Sequence, residues 1–297
     1  INDYGNQINN FVKSVFLRIR EIKYNEIFVN EKELYPGDYI IEIANKILSK
    51  SKLKFNSLKD NYNFLTKESL KYSMEMIKSD LKKLGISHDN FISEKSIVNS
   101  KTVIKAINQL KRSNYVEEGF LEPPKGSKKE DWKKTKRLIF KSTLFGDDTD
   151  RAMQKNDGSW TYFANDVGYH MYKVNRNYEY LINVLGADHT GYTKRITAAV
   201  SALSDNKIQL NCKVCQLVKL YKHGKPFKMS KRAGDFISVR DLLNEVSKDS
   251  IRFMMLNRSN DVEIDFDFDK VLEKSKDNPV FYVQYCYARI NSIFRTL

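Results

Sequence analysis

The residues best suited to chemistry lie in three short segments. Lys228-Met229-Ser230-Lys231-Arg232 sets two ammonium groups three residues apart, with a hydroxyl between them, a guanidinium after them and Ala233-Gly234 beyond. On a loop, that set is a concentrated phosphate-binding surface. The plainer reading is a solvated basic loop in a lysine-rich chain. Gly186-Ala187-Asp188-His189-Thr190-Gly191-Tyr192 brackets a carboxylate and an imidazole with glycines, directly after an apolar run. Glycine lets a ligand approach the backbone, and the start of a helix beyond it favours negative charge. The alternative is an ordinary strand-to-helix turn with an Asp cap. In Trp160-Thr161-Tyr162-Phe163-Ala164-Asn165-Asp166-Val167-Gly168-Tyr169-His170, Tyr162 and Asp166 stand four apart at a predicted strand-to-helix junction. A carboxylate grips a guanidinium in bidentate fashion, and an aromatic ring stacks on that planar cation. The alternative is a helix-end charge beside a core ring.

Other clusters are weaker. Cys212-Lys213-Val214-Cys215 has no second cysteine pair, and its nearest histidine, His223, lies beyond a predicted turn. On a strand, odd spacing sends the two sulfurs to opposite faces, which argues against zinc ligation or redox chemistry. Three cysteines make no disulfide framework, so a reducing, cytoplasmic setting with no disulfide partner is expected. Asp261, Glu263, Asp265, Asp267 and Asp269 lack the ligand spacing and glycine of a calcium loop, so they read as solvated or as partners for basic residues, and no metal site is predicted. His88 has no catalytic partner nearby in sequence.

Composition sets the bounds. Fifty-one Lys and Arg against 37 Asp and Glu leave a net charge of +14, which fits a polyanionic partner such as nucleic acid. A codon bias toward Lys, Asn and Ile fits it equally. Seventeen Phe and seventeen Tyr argue against disorder. No apolar run approaches the roughly 20 residues of a membrane helix.

These segments need elements to hold them. Apolar spacing predicts helices over 6–23 and 38–48, a stripe of Leu70, Met74, Ile77, Leu81 and Leu84 closed by Gly85, and a helix over 96–110. The loop at 121–127 and the basic stretch at 125–137 read as solvated in preference to an RNA contact. A strand is predicted at 138–140, a hairpin-type turn at Asn156-Asp157-Gly158 leading into a strand at Trp160-Thr161-Tyr162-Phe163, and a helix over 165–173. A buried strand at 181–185 followed by a helix over 192–203 is the βα unit of a parallel sheet, which binds ligands at the carboxyl ends of its strands. Residues 210–220 read as one alternating stretch, turned by Lys222-His223-Gly224-Lys225. Two short helices are predicted over 239–256, and another helix from Asn278-Pro279 onward.

In this order, the motifs resemble those of class I arginyl-tRNA synthetases. The pentapeptide at 228–232 resembles the Lys-Met-Ser-Lys-Ser motif of class I aminoacyl-tRNA synthetases, and its Arg-Ala-Gly ending is similar to the arginyl members. Residues 186–192 resemble the segment lining the nucleotide pocket, and 160–170 are similar to the arginine-recognition stretch. Val283-Gln284-Tyr285-Cys286-Tyr287-Ala288-Arg289-Ile290 resembles the start of the helical anticodon-binding domain. Asn2-Asp3-Tyr4-Gly5-Asn6-Gln7 resembles the segment just downstream of the family's His-Ile-Gly-His motif.

The resemblance implies an α/β fold: an incomplete Rossmann-like parallel sheet with a helical insertion. Expected domains are a partial catalytic domain at 1–54, the insertion at 55–136, the catalytic domain resumed at 137–277, and the start of the anticodon-binding domain at 278–297. It implies an arginine--tRNA ligase that uses ATP with Mg²⁺ to join arginine to tRNA(Arg). Lys228 and Lys231 would be catalytic. Gly186, Asp188, His189, Met229 and Ser230 would face ATP, Tyr162 and Asp166 would hold arginine, and Asn2, Asp3, Gly5 and Gln7 would lie near the tRNA 3′ end. One departure matters. None of the four histidines, His88, His170, His189 and His223, forms a His-Ile-Gly-His motif. The chain is therefore expected to be a fragment, incomplete as a catalyst. A non-catalytic tRNA-binding relative and a class I synthetase of another specificity stay open.

Overall fold

A computed structural model describes residues 1–121, 135–226 and 237–296. They form two compact units, one of residues 1–91, 218–259 and 263–297, the other of 92–217 and 260–262. The first unit begins with three helices whose apolar stripes close on one another. Helix α1 (Asn6–Tyr24) buries Ile8, Phe11, Val12, Val15, Phe16 and Ile19 against Ile40, Ile43, Ala44 and Ile47 of α2 (Asp38–Lys50). Leu65 and Tyr72 of α3 (Leu58–Lys83) complete that core, together with Phe55. Helix α3 starts well before the Leu70 stripe because the Ser57 side chain caps it. It ends as predicted, with Gly85 in the left-handed region at φ 75°. Residues 55–91 thus share a core with 1–54 in this unit.

In the second unit the predicted 96–110 helix is two, α4 (Glu94–Asn99) and α5 (Thr102–Arg112), broken where Lys101 takes φ 57°. A small antiparallel sheet follows: β1 (Val116–Gly119), β2 (Arg137–Phe140) and β3 (Arg151–Ala152). Then come α6 (Tyr162–Val174), β4 (Tyr180–Gly186), α7 (Thr193–Leu203) and β5 (Gln209–Cys215). Strands β4 and β5 run parallel from Tyr180↔Gln209 to Gly186↔Cys215, so β4, α7 and β5 make the predicted βα unit. Phe163 and Val167 of α6, Leu181 of β4, Ile196 and Val200 of α7 and Leu210 of β5 share its core with Val103 and Ile107 of α5. Helices α5 and α6 meet closely at Gly168, where a Cβ would lie 2.8 Å from Val103 Cγ2 and 2.9 Å from its Cα. On the opposite face of β4, Tyr180, Ile182 and Val184 are exposed.

The chain then returns to the first unit with β6 (Val218–Lys222) and β7 (Lys225–Pro226), a hairpin turning at His223 and Gly224 with φ 53° and 68°. Residues 210–220 are therefore not one strand. Gln216-Leu217 separates β5, in the parallel pair, from β6, in a different sheet. Helices α8 (Val239–Glu245) and α9 (Lys248–Leu256) are the two predicted short helices. Strand β8 (Ile264–Asp267) pairs parallel with β6, and α10 (Phe268–Leu272) and α11 (Pro279–Thr296) end the chain. The acidic run has partners within this unit: Glu263 takes Lys219 at 2.5 Å, and Asp269 accepts from the His223 amide at 2.6 Å. No described helix is long and apolar enough to cross a membrane.

Candidate functional site

Helix α6 supplies the central carboxylate. The Thr161 hydroxyl caps the helix by accepting from the Ala164 amide at 3.1 Å, and it donates to the Ala152 carbonyl at 3.0 Å, fixing the helix start to β3. The turn before it is the predicted one, with Gly158 at φ 80° and Asp157 accepting from the Ser159 amide at 2.9 Å. Tyr162 is already helical rather than in a preceding strand, so Tyr162 and Asp166 share a helix face as an i, i+4 pair. The Tyr162 ring is 84% exposed, with the Lys155 ammonium 5.7 Å from its centre.

Asp166 is half-buried, and Tyr192 donates its hydroxyl proton to Asp166 Oδ2 at 2.5 Å. Burial pushes the Asp166 carboxyl above the ordinary carboxylate range. The Tyr192 hydrogen bond and the nearby Lys173 and His189 pull the other way. Burial and the adjacent carboxylate raise the Tyr192 phenol, so it stays protonated and remains a donor. The Arg195 guanidinium lies 5.2 Å from the centre of the Tyr192 ring. Sequence reading placed Tyr192 at the start of a helix and gave it no role. It sits 26 residues from Asp166, and only the βα fold brings the two together.

Gly186 ends β4, and a 3-10 turn, Ala187–Tyr192, leads into α7. The predicted residues Gly186, Asp188 and His189 thus lie at the carboxyl end of a parallel strand, the usual ligand end of such a unit. A Cβ on Gly186 would come within 2.5 Å of Asp188 Oδ1. Asp188 and His189 are both exposed, with 3.4 Å between carboxylate oxygen and Nε2. His189 also meets the Tyr192 ring edge-on, at 6.5 Å between centres.

Behind Asp166 runs a buried polar chain that sequence reading missed. His170 Nδ1 lies 2.8 Å from the Asp166 carbonyl oxygen, and His170 Nε2 lies 2.9 Å from Asn183 Nδ2. Lys173 donates to Asn183 Oδ1 at 2.7 Å. Burial, reinforced by Lys173, pulls the His170 imidazole down to about 4, so the ring is neutral. The available signal was Asn183 inside the apolar run Leu181-Ile182-Asn183-Val184-Leu185, since a buried amide requires partners.

Lys228, Met229, Ser230 and Lys231 fall outside the described residues, as does most of the basic 125–137 stretch. Asn2, Asp3, Gly5 and Gln7 belong to the other unit. There the Asn2 and Gln7 amides pair with each other, one bond at 3.0 Å, and Gln7 also donates to the Tyr4 carbonyl at 3.0 Å. Gly5 takes φ 94° at the start of α1, a region that favours glycine. An open depression of about 320 Å³, lined by Phe145, Thr193, Lys194, Thr197 and Cys212 among others, contains none of the predicted site residues.

The constellation is a half-buried carboxylate held by a phenol, beside a glycine turn at the end of a parallel strand. It can grip a cation that offers paired N–H donors. Residues 57–294 match the family described as tRNA synthetases class I (R), catalytic domain. The chain belongs to this arginyl-tRNA synthetase family. It is 60% identical over 297 residues to the arginine--tRNA ligase of Pelagibacter ubique, covering 99% of this chain and 52% of that protein. To the arginine--tRNA ligase of Roseobacter denitrificans it is 49% identical, covering 99% and 51%. The chain thus spans about half the length of the curated relatives it matches. A solved Campylobacter jejuni structure described as an arginyl-tRNA synthetase superposes with a TM-score of 0.81 at 30% identity, covering 99% of this chain and 61% of that one. The Thermus thermophilus arginyl-tRNA synthetase, at 16% identity and a TM-score of 0.60, covering 100% and 63%, shares the fold. The fold class is that of a class I synthetase, α/β with small sheets and many helices.

Proposed function

We infer that this chain is the arginine- and nucleotide-recognising part of an arginine--tRNA ligase. The observation that carries the reading is the Asp166 carboxylate, half-buried and held by Tyr192, at the mouth of the βα unit of a chain in this family. A carboxylate held in that way takes up little rotational freedom when a guanidinium arrives, and the pair gains strength from partial exclusion of water. Tyr162, one turn earlier on α6, offers its ring to the same planar cation.

In the reaction, the arginine carboxylate attacks the α-phosphate of ATP, forming arginyl-adenylate and releasing pyrophosphate. A ribose hydroxyl at the 3′ end of tRNA(Arg) then takes the arginyl group. Catalysis of this kind rests on positioning and on stabilising phosphate charge. The turn at Gly186, with Asp188 and His189, faces the adenosine. Lys228 and Lys231 neutralise the departing pyrophosphate, with Met229 and Ser230 beside the nucleotide. Asn2, Asp3, Gly5 and Gln7 serve near the tRNA 3′ end. Among the described residues, no group of three or more His, Cys, Asp or Glu is placed to hold a metal ion. A Mg²⁺ brought with ATP would share the neutralisation of the departing pyrophosphate.

The test is aminoacylation by the full-length protein carrying Asp166→Asn. Removing one partner of a charged hydrogen-bonded pair costs about 1.5–3 kcal/mol, so KM for arginine rises at least about tenfold. KM for ATP stays near its original value. An unchanged arginine KM in a folded variant refutes the assignment.

A further inference from the structure

We propose that Lys173, Asn183 and His170 form a one-way hydrogen-bond chain that positions Asp166 for the amino-acid substrate. The inference rests on the reading of Asp166 given above.

The direction of the chain follows from donor chemistry. A lysine ammonium has donors only, so the Asn183 oxygen must face Lys173, at 2.7 Å. The Asn183 NH₂ group then points to His170 Nε2, at 2.9 Å, which must present a lone pair. The ring proton is thereby placed on Nδ1, which donates to the Asp166 carbonyl at 2.8 Å. His170 and Asn183 are only 4% and 8% exposed, so water cannot substitute for a missing partner. Lys173 also sits 4.7 Å from the centre of the Tyr169 ring, which holds its stem over α6.

Geometry gives the chain its purpose. It ties the middle of β4 to the α6 backbone at the residue whose side chain reaches Tyr192. Asp166 is thus held twice, through its carboxylate by Tyr192 and through its carbonyl by His170. A fixed carboxylate is what selects a planar, bidentate cation, and displacement of a binding group by a fraction of an ångström weakens that selection. Lys173, Asn183 and His170 are therefore positioning residues that act through Asp166.

The test reverses one link. In the full-length protein, Asn183→Asp offers acceptors to both Lys173 and His170. The expected result is a doubly protonated His170 at neutral pH, seen in ¹H–¹⁵N spectra of histidine-labelled protein, where the wild type shows a neutral ring with its proton on Nδ1. In Asn183→Asp the Nδ1 proton keeps its bond to the Asp166 carbonyl, so KM for arginine stays within about twofold of wild type. Lys173→Met frees the Asn183 amide to flip, which moves the ring proton to Nε2 and turns a bare Nδ1 toward that carbonyl; KM for arginine then rises about tenfold while KM for ATP stays within about twofold. An arginine KM unchanged in Lys173→Met, or equal rises in both KM values as a merely structural role would give, overturns the proposal. Asp166→Asn is assayed in parallel. If it raises the arginine KM while Lys173→Met does not, the positioning chain alone fails. If it leaves the arginine KM unchanged, the reading of Asp166 fails and the proposal falls with it.

Discussion

His170 makes the stability of the βα unit depend on acid in a way that can be calculated. Burial, with Lys173 close by, holds the folded imidazole at about 4, against an ordinary value of 6.5. An unfolded chain takes up the proton near the ordinary value, while the folded chain resists it until about 4. Between those values the unfolded state binds more protons, so stability falls as pH falls. At about 1.4 kcal/mol per pH unit, the full shift corresponds to roughly 3 kcal/mol, most of which is lost between pH 7 and pH 4.5. His170→Asn removes this titration. It lowers stability at neutral pH by taking away buried packing, but it contributes no such acid slope. The assay is native-state hydrogen exchange of the α6 and β4 amides at several pH values, corrected for intrinsic exchange rates. The gap in opening free energy between wild type and variant should narrow by roughly 2 to 3 kcal/mol from pH 7 to pH 4.5. A gap that stays constant over that range would refute the claim that His170 is buried as a neutral ring.

Two further outcomes concern the site. Tyr192→Phe removes the 2.5 Å hydrogen bond that lowers the Asp166 carboxyl while leaving burial to raise it. The acid limb of kcat/KM for arginine should therefore move to higher pH in the full-length protein, and a pH profile identical to wild type would show that the bond does not govern Asp166. Gly186→Ala sets a methyl within 2.5 Å of Asp188 Oδ1 at a backbone angle that any residue can adopt. It should swing the exposed Asp188 carboxylate aside with little loss of stability and raise KM for ATP more than KM for arginine. The reverse ranking would move the Gly186 turn away from the nucleotide.

The parts of the fold that local chemistry determines were legible in the sequence. Ile8 to Ile19 at helical spacing, Gly85 after an apolar stripe, and the turn at Asp157-Gly158 each carry their own cause, and each lies where expected. The strand at 181–185 and the helix after it gave the parallel unit for the same reason. What failed was whatever depended on partners distant in sequence. The alternation over 210–220 is real on both sides of Gln216-Leu217, but alternation does not say which sheet a strand joins. The break at Ser100-Lys101 is a left-handed residue with no glycine to announce it. At the site, Asp166 and Tyr162 were legible as a pair four residues apart, but the Tyr192 hydroxyl that holds Asp166 lies 26 residues away and no local spacing announces it. The buried His170, which carries the hydrogen-bond chain, had no local signal because its partner Asn183 lies on β4, 13 residues on.

Asp166 is proposed to recognise the positive charge of the substrate side chain. Citrulline has the length and shape of arginine but carries a neutral urea in place of the guanidinium, so the pair isolates charge. Binding of each amino acid to the full-length protein, measured by titration calorimetry with wild type and Asp166→Asn side by side, tests the claim most directly. Wild type should prefer arginine strongly, and Asp166→Asn should reduce the arginine-to-citrulline ratio by at least about tenfold, the scale of one charge-assisted hydrogen bond. A ratio unchanged by Asp166→Asn would contradict the account.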